Sequence, residues 1–230
     1  MAFIPVRDEN RSSSTPHVTW VIIIINVAAF LATWLPGYRS LSGAVDKYGM
    51  IPSSILQGRD LHTLFTSMFL HGDLLHLASN MLYLYIFGDN IEDAFGHAKY
   101  LGFYILSGLA ASLLHLLTVT EPGIPAIGAS GAISGVLGAY LILYPRARIV
   151  TLVFYVLITF VRIPAVFFLG FWFILQLFSG TVTLTYGVPS GVAYWAHVGG
   201  FVAGLSLALL FRAMRKTPKE EIPFYAEREI

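Results

Sequence analysis

A serine hydroxyl is a poor nucleophile until a base removes its proton, and histidine is the side chain whose ordinary pKa suits that task near neutrality. Ser130 and His197 supply one such pair of types. Ser130 opens an apolar stretch directly after the breaker cluster Glu121-Pro122-Gly123-Ile124-Pro125, so it falls at a predicted helix N-terminus. The unpaired backbone N–H groups there suit a developing oxyanion. His76 and Asn80 are four residues apart, share a helix face and offer two further side-chain donors. Together these types describe acyl transfer at a carbonyl. No acidic residue neighbours His197 in its apolar stretch, so a Ser-His dyad is expected rather than a triad.

The elements that would carry these residues are membrane spans. The chain has 230 residues, 56% hydrophobic and only 12% charged, with a mean hydropathy of +0.71. A soluble domain carries about twice that charged share. Glu121 is the only charge between Lys99 and Arg146, and none falls between Arg162 and Arg212. A bilayer crossing takes about 20 apolar residues, so these blocks predict a polytopic membrane protein. The net charge of +1 says little about partners, no basic run suggests nucleic acid, and the absence of cysteine removes disulfides and thiolate metal sites. The segment before the first apolar block lacks a signal-peptide cleavage pattern, so that block is expected to remain as a helix.

Spans are predicted at about Val18–Leu35, Leu70–Gly88, Tyr100–Val119, Ser130–Tyr144, Ile163–Gly180 and Tyr194–Phe211. The apolar run Ile149–Val161 is short. With six spans and the N-terminus inside, 11 of the 14 Lys and Arg residues lie on inner segments, and only Arg39, Lys47 and Arg59 lie outside. A seventh span would export the basic C-terminal tail, so Ile149–Val161 is predicted to be a hairpin at the inner surface. The expected fold is an all-α six-helix bundle with a short fourth helix and both termini cytoplasmic. The expected layout is a cytoplasmic segment 1–17, a six-span domain 18–212 and a cytoplasmic tail 213–230.

This topology puts His76, Asn80, Ser130 and His197 at similar depth in the outer half of the bilayer. Polar groups in a span suggest function, although singly each has an ordinary reading: a serine bonded to its own helix, a packing histidine. Ser134 lies a turn deeper and lacks free N–H groups. Gly131, Gly135 and Gly138 mark one face of the fourth span, while Gly200 and Gly204 lie on the His197 face of the sixth. Small residues four apart let membrane helices approach closely, so packing the two faces would carry His197 toward Ser130. His62, His71 and His76 have no convergent acid or cysteine in the spans, so no metal is expected, and His17, His97 and His115 have no evident partners.

Here the sequence resembles the rhomboid family of intramembrane serine proteases. Gly128-Ala129-Ser130-Gly131 fits its GxSG motif, and Ala196-His197 followed by Gly200 and Gly204 fits AHxxGxxxG. His76 and Asn80 fit HxxxN, His71 falls at the upstream histidine, and Glu92 lies where the family has a glutamate at the inner end of the second span. The resemblance implies hydrolysis of a peptide bond in or beside a substrate's transmembrane helix. Ser130 would be nucleophile and His197 general base, then acid, with His76, Asn80 and the Ser130 N–H as oxyanion hole. It implies a cap over the site at Gly180–Tyr194 and substrate entry from lipid near the fifth span.

Two positions depart from the best-studied branch. His62 and Thr63 replace its Trp-Arg pair, and Ser134 replaces a tyrosine that stacks on the histidine, so loop and imidazole must be secured differently. Expected partners are transmembrane protein substrates and membrane lipids, with no cofactor. The expected location is a prokaryotic inner (plasma) membrane. The rivals are a catalytically inactive rhomboid-like protein that binds client helices, and a transporter or channel. Span interiors almost without ionisable residues in their inner halves mark no path for the latter.

Overall fold

The computed structural model describes residues 2–154, 158–187 and 190–214. Its order is β1 (Ala2–Asp8), α1 (His17–Trp34), α2 (Tyr38–Tyr48), α3 (Pro52–Leu56), α4 (Thr63–Thr66) and a 3-10 turn at Ser67–Phe69. There follow α5 (Leu74–Phe95), α6 (His97–Thr118), α7 (Ser130–Leu143), β2 (Arg148–Phe154), β3 (Ile158–Pro164), α8 (Ala165–Tyr186) and α9 (Tyr194–Met214). Helices α1, α6, α8 and α9 are long and apolar enough to cross a membrane. The chain is a mostly helical, multi-pass membrane protein.

Local chemistry sets the helix ends. Asp73 caps α5, its carboxylate accepting the His76 N–H at 2.8 Å. Gly96, at φ 76°, ends α5 and leads into α6, and the left-handed Gly187 ends α8. Helix α5 starts at Leu74 rather than Leu70 and runs past Gly88 to Phe95; a span read from apolarity stops where Asp89, Glu92 and Asp93 begin, but the helix does not. Helix α8 runs past Gly180 to Tyr186, so the link to α9 is shorter than the predicted cap. Most of the predicted tail from 213 lies outside the described residues.

Helix α7 is the axis of the packing. All nine residues from Ala132 to Tyr140 are buried, so no side of its middle faces out. Helix α8 lies at the edge, with Phe167, Phe171, Ile174 and Phe178 exposed along it.

The all-α expectation needs correction. Segments β1, β2 and β3 form a three-stranded antiparallel sheet in that order. The run Ile149–Val161 does form a hairpin, pairing Ile149 with Ile163 and Thr151 with Val161. Its β-branched residues favour the pleated conformation, and each arm of seven residues is too short to span as a helix. The N-terminal segment adds the third strand, pairing Ala2 with Phe154 and Asp8 with Ile149.

This strand ties the N-terminus to the bundle. Asp8 Oδ2 accepts hydrogen bonds from the Tyr140 hydroxyl and, at 3.0 Å, from Asn90 Nδ2. Burial pushes the Asp8 carboxyl up to about 7 against the Tyr140 hydrogen bond, and the nearby Asp89 adds to the rise. Ser13 and Ser14 donate to Asp93. Glu92, fully buried, caps α1 by accepting Val18 N, Thr19 N and Thr19 Oγ1, each at 2.8 Å.

The stretch from Tyr38 to Phe69 is held by its own backbone rather than by an aromatic–arginine pair. Met50 and Ala126 exchange both hydrogen bonds of a bridge, at 3.0 and 2.8 Å, and Ser53 N donates to Pro122 O at 2.8 Å. Thr63, almost wholly buried, donates to Asp60 O at 2.7 Å, and Thr66 donates to Tyr48 O at 2.8 Å.

Candidate functional site

The site begins with the crossing of α7 and α9. A Cβ added at Gly200 would lie 1.9 Å from Gly131 O, one at Gly204 2.0 Å from Gly135 O, and one at Gly138 2.2 Å from Phe201 O. The two backbones therefore touch, a separation open only to glycine. Gly131 and Gly135 also face α6, where added Cβ atoms would meet Ala111 at 2.6 Å and Ser107 at 2.4 Å. Close approach sets the depth at which side chains one turn away meet.

At that depth His197 Nε2 and Ser130 Oγ are 2.8 Å apart, across 67 residues of sequence. Both residues are half-buried, reachable yet shielded from bulk solvent. Ser130 opens α7, with Ala129 at its N-cap, so the first-turn N–H groups lack intrahelical acceptors. Gly128 just before it has φ +122°, a backbone state that side-chain-bearing residues rarely adopt. Its N–H donates to Ser67 O at 2.9 Å, tying the Ser130 entry to the turn after α4.

Of the other expected donors, His76 comes close. A Cβ added at Gly128 would lie 2.8 Å from His76 Nε2 and 3.7 Å from Ser130 Oγ. A side chain at Gly128 would therefore press on the His76 imidazole beside Ser130. His71 is fully buried and meets the His76 ring edge-on at 4.9 Å. Asn80 Nδ2 donates to His76 O at 2.8 Å, which uses one of its two amide protons and steadies that turn. Ser134 Oγ donates to Ser130 O at 2.7 Å, the ordinary back-bond of a helical serine. Glu92 does not enter the site; it serves the α1 cap.

Sequence reasoning missed the second partner of His197. Its Nδ1 lies 2.8 Å from Gln176 Oε1 on α8, and Trp172, one turn earlier, sets its ring 6.0 Å from the imidazole at 32°. Gln176 is buried. The signal was present: a glutamine in the charge-free stretch from Ile163 to Phe211 is the kind of costly polar group that suggests function.

Chemically, the arrangement holds a hydroxyl against one imidazole nitrogen, an amide oxygen against the other and a second imidazole beside them. A hydroxyl so placed can give its proton to the imidazole.

Comparison with known proteins identifies the family. The Rhomboid domain profile matches residues 58–214. The chain is 29% identical over 181 residues to "RHOMBOID-like protein 6, mitochondrial" of Arabidopsis thaliana, covering 78% of this chain and 53% of that protein. It is 29% identical over 197 residues to "Rhomboid protein 1, mitochondrial" of Saccharomyces cerevisiae, covering 82% and 51%. It is 30% identical over 126 residues to "Rhomboid protease GluP" of Bacillus subtilis, covering 55% and 24%. The chain therefore spans about half the length of the first two relatives and a quarter of the third. Two of these names are mitochondrial, which leaves the expected prokaryotic plasma membrane without support.

Proposed function

From the premise that the chain belongs to the rhomboid family, we propose that it is an intramembrane serine endopeptidase cleaving membrane proteins in or near their transmembrane helices. The observation that carries this is the 2.8 Å contact between Ser130 Oγ and His197 Nε2, made at the crossing of two apolar helices. The relative named as a protease supports the same class of reaction.

In this reading Ser130 Oγ attacks the scissile carbonyl carbon while His197 Nε2 takes its proton. The oxyanion develops beside the Ser130 N–H, with His76 Nε2 as a further donor. Asn80 contributes its second amide proton. The imidazolium then gives its proton to the leaving amine, and the same base activates the water that hydrolyses the acyl-enzyme. The reaction uses a dyad and no metal or cofactor.

The membrane arrangement follows as part of the proposal. Helices α1, α5, α6, α7, α8 and α9 are the six spans of the domain 18–212, with segment 1–17 and tail 213–230 cytoplasmic. With 14 residues, α7 rises about 21 Å, against a hydrocarbon core of about 30 Å. An α7 ending near the inner surface therefore starts Ser130 well below the outer one. Substrate helices reach it from lipid past α8.

The test is cleavage of a single-span substrate in proteoliposomes by the wild type, Ser130→Ala and His197→Ala. Cleavage by the wild type alone is expected. Equal cleavage by all three would refute the reading and leave a client-binding protein as the alternative.

A further inference from the structure

A Ser-His pair without a carboxylate has an orientation problem. Neutral imidazole carries one proton, and Nε2 can accept from Ser130 only if that proton sits on Nδ1. An Nδ1–H without an acceptor leaves the ring free to turn or to adopt the other tautomer. No acid lies near His197 in α9, and Ser134 Oγ is engaged with Ser130 O. We propose that Gln176 is the positioning residue of the dyad: its side-chain carbonyl accepts the Nδ1 proton of His197 and keeps Nε2 turned to Ser130. This rests on the protease reading above and deepens it.

Four observations converge. Gln176 Oε1 lies 2.8 Å from Nδ1 while Nε2 lies 2.8 Å from Ser130 Oγ, so the ring is held at both nitrogens. With the proton on Nδ1 the amide must turn its oxygen to the ring, since its NH₂ would meet that proton donor to donor. Gln176 is buried in an apolar stretch, where a glutamine without a polar partner would be costly. Trp172 lies four residues earlier on the same face of α8, and its tilted ring walls the imidazole from the side.

The geometry also makes the base conditional on α8. That helix is exposed along its outer face and is tied to α9 by the Gln176 contact and by Trp195 Nε1 donating to Gly180 O at 3.1 Å. His197 is therefore oriented when α8 is seated against α9, and loses its Nδ1 acceptor if α8 swings away to admit a substrate helix.

The experiment compares the full chain as wild type, Ser130→Ala, Gln176→Leu, Gln176→Met and Gln176→Glu, measuring kcat, KM and fluorophosphonate labelling rate. Leucine and methionine keep the apolar bulk and remove the acceptor; glutamate keeps the acceptor and removes the NH₂. For both apolar variants kcat and labelling rate should fall roughly 10- to 100-fold, the worth of a hydrogen bond to a group that becomes charged, with KM unchanged within about 3-fold. Gln176→Glu should recover to within about 3-fold of the wild type. Wild-type rates in Gln176→Met, or equal loss in Gln176→Met and Gln176→Glu, would overturn the positioning role. Labelling of the wild type no faster than Ser130→Ala would instead overturn the protease reading itself.

Discussion

A single methyl group at Gly200 should disconnect the dyad without touching it. In Gly200→Ala the new Cβ would lie 1.9 Å from Gly131 O, a backbone atom that cannot rotate away. A carbon and a carbonyl oxygen rest no closer than about 3.3 Å, so α9 and α7 must separate by about 1.4 Å at that level. Gly200 follows His197 by one turn and Gly131 adjoins Ser130, so the opening acts where the pair meets. The 2.8 Å contact between Ser130 Oγ and His197 Nε2 would lengthen to as much as about 4.2 Å, beyond hydrogen-bond range. Misplacement by about 1 Å costs on the order of 100-fold in rate, and overpacking costs about 1–3 kcal/mol of stability. The assay is kcat/KM on a single-span substrate beside the thermal midpoint in the same detergent. The control is Gly102→Ala on α6, where an added Cβ meets nothing within 4 Å and alanine favours the helix slightly. Activity of Gly200→Ala within 3-fold of the control would refute the claim that glycine contact at this crossing sets the site.

Gly128→Ala should abolish cleavage, because its methyl would press to 2.8 Å from His76 Nε2 in a backbone conformation alanine resists; substrate binding measured with an uncleaved helix separates this from unfolding. Glu92→Leu should cost about 3 kcal/mol of stability by stranding the buried donors of Val18 and Thr19, while kcat of the folded fraction stays near wild type; urea unfolding and activity per folded molecule check it. Asp8→Asn probes pH. The native carboxyl is raised from 3.8 to about 7, so the fold holds its proton more tightly than the unfolded chain does. The resulting stability is present below 3.8 and lost as pH rises toward and through 7. Asparagine can still accept from Tyr140, so the variant should match the wild type near pH 4 and exceed its thermal midpoint at pH 8.

Much of this protein was readable from one-dimensional pattern. Long charge-free blocks need no partner to declare a membrane helix, because the bilayer itself fixes the length and polarity of a span. Ser130, His197, His76 and Asn80 stood out by the same logic, as polar groups where they are costly, and the glycine spacing foretold the crossing at Gly131–Gly200. Hairpin Ile149–Val161 was legible because it is too short to span. The strand at Ala2–Asp8 was not: it has no strong pattern of its own and becomes a strand only because β2 offers an edge.

What the tertiary structure alone decided are contacts between segments far apart in the chain. Glu92 looked like a residue of the second helix and became the cap of the first, since only folding brings the α1 N–H groups to it. Loop security passed to the Met50–Ala126 backbone bridge and to the Thr63 hydroxyl on Asp60 O, partnerships that spacing along the chain does not announce. The close fit at Gly128 depends on where His76 comes to rest, and Gln176 meets His197 across α8 and α9. Sequence by itself determined which groups are expensive to bury and hence worth explaining. Their partners were settled by packing, because a hydrogen bond is a matter of ångströms and no spacing along a chain measures the distance between two helices.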